Sequence, residues 1–211
     1  SPDAGLFSVM ASDGGLDREI RLINGAVAAR LWNDQQITSP WLNLHDGQWH
    51  HVAHVFGSGI AGQRLYVDGV LRASGNKMLS DFSWQDRVYL GFAPNAGSPY
   101  LNGKLDEVRI WSVPRSEAEI KANMVKALTG NEAGLLAYWP FHDNSLFSAD
   151  LASNGGNTGT FFEFGATWST DEPFGNISGA ISAAQGATAG VTVTLEREGD
   201  VDSVYDIPIV Q

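Results

Sequence analysis

Tight-turn signals at short intervals constrain the fold of this sequence more than any other feature. The pairs Asn24-Gly25 and Asp68-Gly69 each stand between two runs in which polar and apolar residues alternate, and 24 glycines punctuate the 211 residues. Asn-Gly and Asp-Gly suit two-residue turns that require positive φ, and alternation is typical of a half-buried strand. Each pair therefore predicts a β-hairpin, and we expect a chain of short antiparallel strands.

Other short runs rich in Val, Leu, Ile and aromatic residues also predict strands, because Gly, Asn or Pro segments separate them. In the run that begins at Trp49, we expect His51, Ala53 and Val55 to share one face with Trp49, since side chains alternate along a strand. The predicted strands are 19–23, 26–32, 49–56, 64–67, 70–73, 87–92, 104–111, 135–139 and 160–164.

One segment has helical spacing instead. Ser116 followed by Glu119 is the signature of a capping box, and Ile120 and Met124 then recur at the helical interval. This pattern predicts a short helix over 116–127. One helix among many short strands predicts an all-β fold, an antiparallel β-sandwich with the helix at one end or across an edge.

Composition excludes several classes of function. A formal charge of −11 disfavours nucleic acid and anionic membranes as partners, and 43% hydrophobic residues are enough for a folded core. The absence of cysteine excludes disulfides, thiolate catalysis and Cys-based metal sites. Cations and neutral ligands are the partners we expect.

The composition changes after Pro173. Residues 175–211 contain no Trp, are rich in Ala, Gly, Ser and Thr, and include strand-like runs at 190–196 and 203–210. We therefore predict a main domain over 1–174 and a C-terminal β segment over 175–211. That segment either begins another domain or supplies strands that complete the sandwich.

Three linked motifs suggest a family. The runs 46–53 (Asp-Gly-Gln-Trp-His-His-Val-Ala), 65–70 (Leu-Tyr-Val-Asp-Gly-Val) and 101–111 (Leu-Asn-Gly-Lys-Leu-Asp-Glu-Val-Arg-Ile-Trp) occur in order. The sequence resembles the laminin G-like and pentraxin-like modules of the concanavalin A-like lectin/glucanase superfamily. The likeness covers roughly 5–173, including the helical segment and the run Gly134 to Phe141.

The resemblance implies a jelly-roll sandwich of two antiparallel sheets, often with calcium at its rim and often used for carbohydrate binding or adhesion. Such modules usually begin with several strands before the position of Gly5, and those strands are missing here. Either they lie upstream, or the segment from Gly175 supplies strands in permuted order to cover the open sheet edges.

Loops rich in Asp, Asn and Gly suit calcium, which takes six to eight oxygen ligands. Capping of turns by the same side chains is the structural alternative for each residue. Asp106, in the last of the three motifs, needs an ion, Arg109 or backbone donors as its partner. Asp68 is left out because its turn already explains it. The candidate calcium ligands are Asp106, Asp143, Asp150, Asn154 and Asn157, with Asn144 beside Asp143.

Sugar binding requires exposed aromatic side chains, which stack on pyranose rings, together with amides and carboxylates for the hydroxyls. Trp49, Trp111 and Trp139 lie in strand motifs and are predicted core residues. Tryptophans and tyrosines are more often buried than exposed, so burial is the alternative for each remaining candidate. The candidate ligand-binding residues are Trp41, Trp84, Asn95 and Tyr100.

Enzymatic alternatives find less support. His50 and His54 are four residues apart, but on a strand this separates them by about 13 Å, too far to chelate one zinc ion. A glucanase needs two carboxylates about 5 to 9 Å apart, and we find no Glu-x-Asp-x-x-Glu run of the retaining class. Asp106 and Glu107 are adjacent and should point to opposite faces of a strand. A Gly-x-Ser-x-Gly nucleophile motif is also missing.

The sequence therefore predicts a non-catalytic, extracellular carbohydrate-binding or adhesion module, stabilised by calcium and part of a larger secreted or surface protein. Its expected partners are a glycan or a cell-surface or matrix partner, and other domains of the same polypeptide. A glycoside hydrolase or lyase of the same fold, or a purely structural spacer, are the alternatives. The start, Ser1 to Ala4, lacks the pattern of a secretory signal, so we expect any export signal to lie outside this sequence.

Overall fold

The fold is seen in a computed structural model. It describes residues 3–11, 18–31, 35–79, 85–142, 147–153, 155–162, 166–169, 180–183, 190–194 and 204–210. The first seven strands are β1 (Ala4–Met10), β2 (Arg18–Ile23), β3 (Ala26–Arg30), β4 (Gln36–Thr38), β5 (Trp49–Gly57), β6 (Gly62–Val67) and β7 (Val70–Gly75). The later strands are β8 (Arg87–Leu90), β9 (Lys104–Leu105), β10 (Val108–Trp111), β11 (Leu135–Trp139), β12 (Phe147–Ser148), β13 (Gly159–Phe162), β14 (Ala166–Ser169), β15 (Ala180–Ala183), β16 (Gly190–Thr194) and β17 (Val204–Val210).

These strands form two antiparallel sheets, as predicted. Sheet A has the order β12-β13-β16-β8-β1-β2-β3-β4. Sheet B has the order β14-β15-β9-β17-β5-β6-β7, and β10 joins it by pairing with β17 and β11. The sandwich class predicted from the turn signals is therefore confirmed.

Both predicted hairpins form with the expected turn geometry. Asn24 and Gly25 have φ of 49° and 80° between β2 and β3, and Asp68 and Gly69 have φ of 53° and 70° between β6 and β7. Positive φ at both central residues defines the turn that matches strand twist. The two Asx-Gly pairs thus fix the register of their strands.

The main core lies between the two sheets. Phe7, Ile20 and Leu22 of sheet A are fully buried there together with Val52 and Phe56 of sheet B. Along β5 the intervening residues, Ala53 and Val55, pack instead into a second cluster on the other face of sheet B. Strand alternation therefore gives sheet B two buried faces, and β5 is a central strand with an apolar run.

The only α-helix in the described part of the chain, α1 (Glu117–Asn123), covers that second face. Ser116 and Glu119 make the predicted capping box, and Ile120 is buried against Trp111 and Tyr138. The helix ends at Asn123 rather than at 127 as predicted. Turns follow it instead, and Lys126 N donates to Asn123 O. Within the described residues, no helix is long and apolar enough to cross a membrane.

A bulge interrupts the strand predicted over 104–111. The register between β17 and β9 differs by one residue from the register between β17 and β10, and Glu107, between them, has a left-handed φ of 52°. Asp106 Oδ1 accepts a hydrogen bond from the Glu107 amide at 2.9 Å. An extra residue of this kind is the defining feature of a β-bulge. The prediction of one continuous strand was therefore wrong.

Candidate functional site

The outer face of sheet A carries a row of polar side chains that run across five strands. Cross-strand register places Tyr89 opposite Ser8, Ser8 opposite Glu19, and Glu19 opposite Arg30. Their neighbours along the strands, such as Phe7 and Ile20, belong to the core. Strand alternation therefore turns this row away from the core. We call it, together with Arg21 and Gln36, the polar face.

The segment between β8 and β9, residues 91–101, folds back over the polar face. Ser8 Oγ donates a hydrogen bond to Phe92 O at 2.9 Å, and Leu101 N donates to Gly91 O at 2.9 Å. A Cβ atom on Gly5 would overlap the backbone of Ala93. Glycine at position 5 is therefore what permits the close approach between strand β1 and this segment, which we call the covering loop.

A buried carboxylate fastens the covering loop to the sheet. Glu19 accepts a hydrogen bond from Arg21 at 2.7 Å and lies 4.0 Å from the Arg30 guanidinium. It also accepts from the backbone amide and the side-chain amide of Asn95, each at 3.3 Å. A buried charge requires such partners because desolvation is otherwise unfavourable. Arg21 adds a bond to the Asn95 carbonyl and one to Gln36 Oε1 at 2.7 Å.

Three half-exposed aromatic rings lie together at the edge of the polar face, and one of them, Tyr89, belongs to it. Tyr89 lies 5.5 Å from Phe92, and Phe92 lies 5.0 Å from Tyr100, measured between ring centroids. The rings are tilted against each other by 58° and 51°. We call Tyr89, Phe92 and Tyr100 the aromatic trio. The three rings give the edge of the polar face an apolar surface, and the two tyrosines place hydroxyl groups beside it.

Trp41 lies next to the Asn24-Gly25 turn, at the end of the β2–β3 hairpin. Its side chain is 70% exposed, and its indole nitrogen lies 2.8 Å from the position that a Cβ on Gly25 would take. On the other side of this hairpin turn, Asn24 N donates to Asp3 Oδ1 at 2.8 Å, and Asp3 packs against Gly97 of the covering loop. We call Trp41, the Asn24-Gly25 turn and Asp3 the rim, which reaches the covering loop at Gly97.

Three of the four candidate ligand-binding residues predicted from the sequence lie within the described residues. Asn95 and Tyr100 are both in the covering loop, and Trp41 is at the rim. Trp84 lies outside the described residues. Of the tryptophans predicted to be core residues, Trp111 and Trp139 are buried, but Trp49 is half-buried because it begins β5 at the edge of the sandwich.

Sequence reasoning did not single out Glu19, Arg21, Tyr89 or Phe92. The alternation of Glu19, Ile20, Arg21 and Leu22 could have shown that the first and third of these share a face. It could not have shown that the covering loop, more than 70 residues later, folds onto that face.

Two of the candidate calcium ligands are in contact. Asp150 Oδ1 accepts from the amides of Tyr138 and Ala152 at 2.9 and 3.0 Å, and Asp150 Oδ2 accepts from Asn157 Nδ2 at 2.9 Å. A carboxylate has about four lone-pair positions, so three of them are used and one on Oδ2 remains for a cation. Carboxylate and amide oxygens are the kind that calcium prefers, but Asn157 presents its Nδ2 to Asp150, so its amide oxygen could hold the same ion only after the amide group turned over.

The remaining candidates do not extend this pair. Asp106 lies in the bulge and bonds to the Glu107 amide, while Asp143, Asn144 and Asn154 lie outside the described residues. Within the described part of the chain, no three or more His, Asp or Glu side chains converge as a metal site.

A buried ionic cluster lies on the opposite side of the molecule, under α1. Arg109 donates to Glu107 Oε2 at 2.7 Å and to the carbonyls of Asn123 and Lys126, and the Tyr138 hydroxyl donates to Glu107 at 2.8 Å. Burial raises the pKa of Glu107, and burial together with the Glu107 charge raises the pKa of Tyr138. Arg109 thus binds the end of the helix to sheet B, a structural role.

His50 and His54, the two histidines that stand four residues apart on β5, have different environments. The Nδ1 of His50 lies 3.0 Å from Asp68 Oδ2, and its Nε2 lies 3.1 Å from Asp46 Oδ1. The hydrogen bond with Asp68 is the main reason why the pKa of His50 is raised. His54 contacts Gln63 at 2.9 Å, and burial lowers its pKa to about 4. His50 is therefore bonded to two carboxylates, and His54 to a side-chain amide.

Comparison with known proteins agrees with this architecture. A laminin G family model, described as the concanavalin A-like lectin/glucanases superfamily, matches residues 2–121, which is more than half of the chain. The chain therefore belongs to this superfamily, as its three motifs predict. Laminin G-like families are generally non-catalytic, and their domains serve as carbohydrate-binding or structural modules. No curated protein matches the chain.

Proposed function

We propose that this protein is a non-catalytic carbohydrate-binding or adhesion module whose ligand lies on the polar face of sheet A. The proposal is supported by the presence of polar and aromatic side chains side by side on this face. A network of amide and charged side chains adjoins three half-exposed aromatic rings, and Trp41 at the rim is 70% exposed. Pyranose rings present one apolar face and a set of hydroxyls, so they require both surfaces side by side.

The charges of the site favour a neutral glycan over an anionic one. The guanidinium of Arg21 is already bonded to Glu19, to the Asn95 carbonyl and to Gln36. The whole chain carries a formal charge of −11. A carboxylated or sulfated sugar would therefore meet general repulsion, with Arg21 already engaged. Gln36 and Asn95 are exposed, and we assign their amides, which also bond to Arg21 and Glu19, to the sugar hydroxyls.

A glycan array tests the proposal directly. The full chain should bind a subset of neutral glycans, and the double variant Trp41→Ala/Tyr100→Ala should lose roughly tenfold in affinity, because a stacked aromatic ring contributes about 0.5–1.5 kcal/mol and two rings are removed. Val125→Ala is the matched control. It truncates another exposed apolar side chain, 62% exposed, next to α1 on the opposite side of the sandwich.

The control should bind as the unaltered chain does. If the unaltered chain binds no glycan with or without calcium, or if the double variant binds equally well, the carbohydrate proposal is wrong and a structural spacer becomes the better description.

The absence of catalysis is part of the proposal. The acids that could have formed a glycosidase pair have other partners: Glu19 bonds to Arg21, Glu107 to Arg109, and Glu119 to Ser116 in the capping box. We therefore expect no release of reducing sugars from a polysaccharide panel. Release that disappears in an acid-to-amide variant would identify a hydrolase.

We also propose that calcium binds at Asp150 and Asn157 and that the module is extracellular, within a larger secreted or surface protein. Support for calcium comes from the donor chemistry of that pair and from the family resemblance. Carboxylate and amide oxygens are the ligands that this ion prefers.

A further inference from the structure

Sheet B contains a gap that a single strand fills. Strands β5 and β10 each pair with β17 and are not neighbours in the strand order. Residues 52–57 of β5 and all of β10 are buried. If β17 left, two buried strands would expose their backbone N–H and C=O groups along their full lengths, which is a strong template for pairing with another strand.

The position of one proline matches this gap. Pro208 stands opposite His51 of β5, and on its other side it faces the bulge at Asp106 and Glu107. On that side β9 pairs with 209–210 and β10 pairs with 204–206, so the ladder is interrupted at Pro208. Because proline has no amide hydrogen, a central strand tolerates it only at such an interruption.

We infer that the space between β5 and β10 is a strand-acceptor slot, selective for an extended segment that has proline opposite the Asp106–Glu107 bulge, and that residues 204–210 of the same chain occupy it. The segment 175–211 is then an integral part of the sandwich and not the start of a separate domain. Sheet A supports this, because β16 connects β8 to β13 in the same way.

Hydrogen exchange of the unaltered full chain is the first test. Backbone amides in peptides that cover 49–57 and 104–111 should exchange as slowly as those of 18–30 in sheet A, because β5 and β10 are each paired along both edges. If 49–57 and 104–111 exchange at least tenfold faster than 18–30, the slot is open and the inference is overturned.

Proline substitutions give a second, independent test. In Ile207→Pro a ladder bond is lost, and we expect the melting temperature to fall by roughly 6–12 °C. Two controls accompany it. Pro208→Ala restores an amide where the ladder is already interrupted, and Ala187→Pro lies between β15 and β16 in sequence; each should change the melting temperature by less than about 2 °C. Equal shifts in all three variants would contradict the inference.

The molecular mass in solution distinguishes an occupant from the same chain from one supplied by a second chain. A monomer in size-exclusion chromatography with light scattering, together with protected β5 and β10 amides, supports occupation by the same chain. A dimer that Ile207→Pro converts to monomer would show exchange of β17 between copies and would overturn that part of the inference.

Discussion

At the scale of single residues, Glu19 holds together the polar face and the covering loop. Its buried carboxylate accepts two hydrogen bonds from Asn95 and one from Arg21, so one side chain joins β2 to the covering loop, which lies more than 70 residues later in the sequence. Replacement of a buried, paired carboxylate leaves its partners without a charged acceptor, and this is far more destabilising than the loss of an exposed ion pair.

We expect Glu19→Gln to lower the free energy of unfolding by about 1–3 kcal/mol, less than for a fully buried pair because Arg21 and Arg30 are partly exposed. Urea denaturation measures this loss. Glu117→Gln is the control, since Glu117 pairs with exposed Lys121, and its loss should be about 0.5 kcal/mol or less. Equal losses in the two variants would show that Glu19 is not a structural centre.

His50 gives the molecule a dependence on pH. Both ring nitrogens face carboxylate oxygens, which can only accept hydrogen bonds, so both bonds form fully only with the protonated ring. The pKa of His50 is raised, chiefly by its bond with Asp68, so its stabilising effect is complete below about 6.5 and is lost as the pH rises through the raised value. Burial acts to raise the pKa of Asp68, but its hydrogen bonds with His50 and with the His51 amide lower it overall. The stabilisation that Asp68 contributes is therefore present above pH 3.8, its ordinary pKa, and is lost as the pH falls through the lowered value.

A double-mutant cycle with His50→Gln and Asp68→Asn should therefore give a coupling energy of about 0.5 kcal/mol at pH 5.5 and close to zero at pH 8.5, after allowance for the exposure of Asp68. The measurement is urea unfolding at both pH values. A coupling energy that is the same at both values would mean that the protonated ring has no part in the contact.

At the scale of elements, the covering loop depends on one glycine in β1. Gly5→Ala would place a methyl group inside the backbone of Ala93, and backbone cannot move aside as a flexible side chain can. We expect the covering loop to be displaced, with a loss of about 1–3 kcal/mol and faster hydrogen exchange over 91–101. Gly59→Ala, with open space around its Cβ position, should be neutral within about 0.5 kcal/mol. Unchanged exchange over 91–101 in Gly5→Ala would contradict this account of the loop.

The elements also show how much of the fold could be predicted from sequence. The hairpins at Asn24-Gly25 and Asp68-Gly69 and the capping box at Ser116 depend on neighbouring residues, and all three were predicted correctly. The bulge at Glu107 was missed, because its cause is the register of a strand roughly 100 residues further along the chain. Candidate site residues in the covering loop could be named from composition, but their placement on sheet A depends on long-range contacts to Glu19.

At the scale of the whole molecule, the proposed calcium ion should stabilise the folded state by mass action. At 100 times its dissociation constant the gain is about 2.7 kcal/mol, or roughly 5–11 °C in melting temperature for a chain of this size. Differential scanning fluorimetry with calcium and then with EDTA measures it. Asp150→Asn should abolish the shift, whereas Asp86→Asn, at an exposed acid elsewhere, should retain it. The absence of any shift in the unaltered chain would remove calcium from the proposal.

The position of β17 has a consequence for the time course of folding. His54 and Tyr205 are register partners although about 150 residues separate them in the chain. The search for such remote partners precedes any gain from their pairing, and proteins dominated by distant pairings fold in milliseconds to seconds. Until β17 arrives, β5 and β10 present open edges, so a nascent chain of this protein is most vulnerable to association with other chains during that wait.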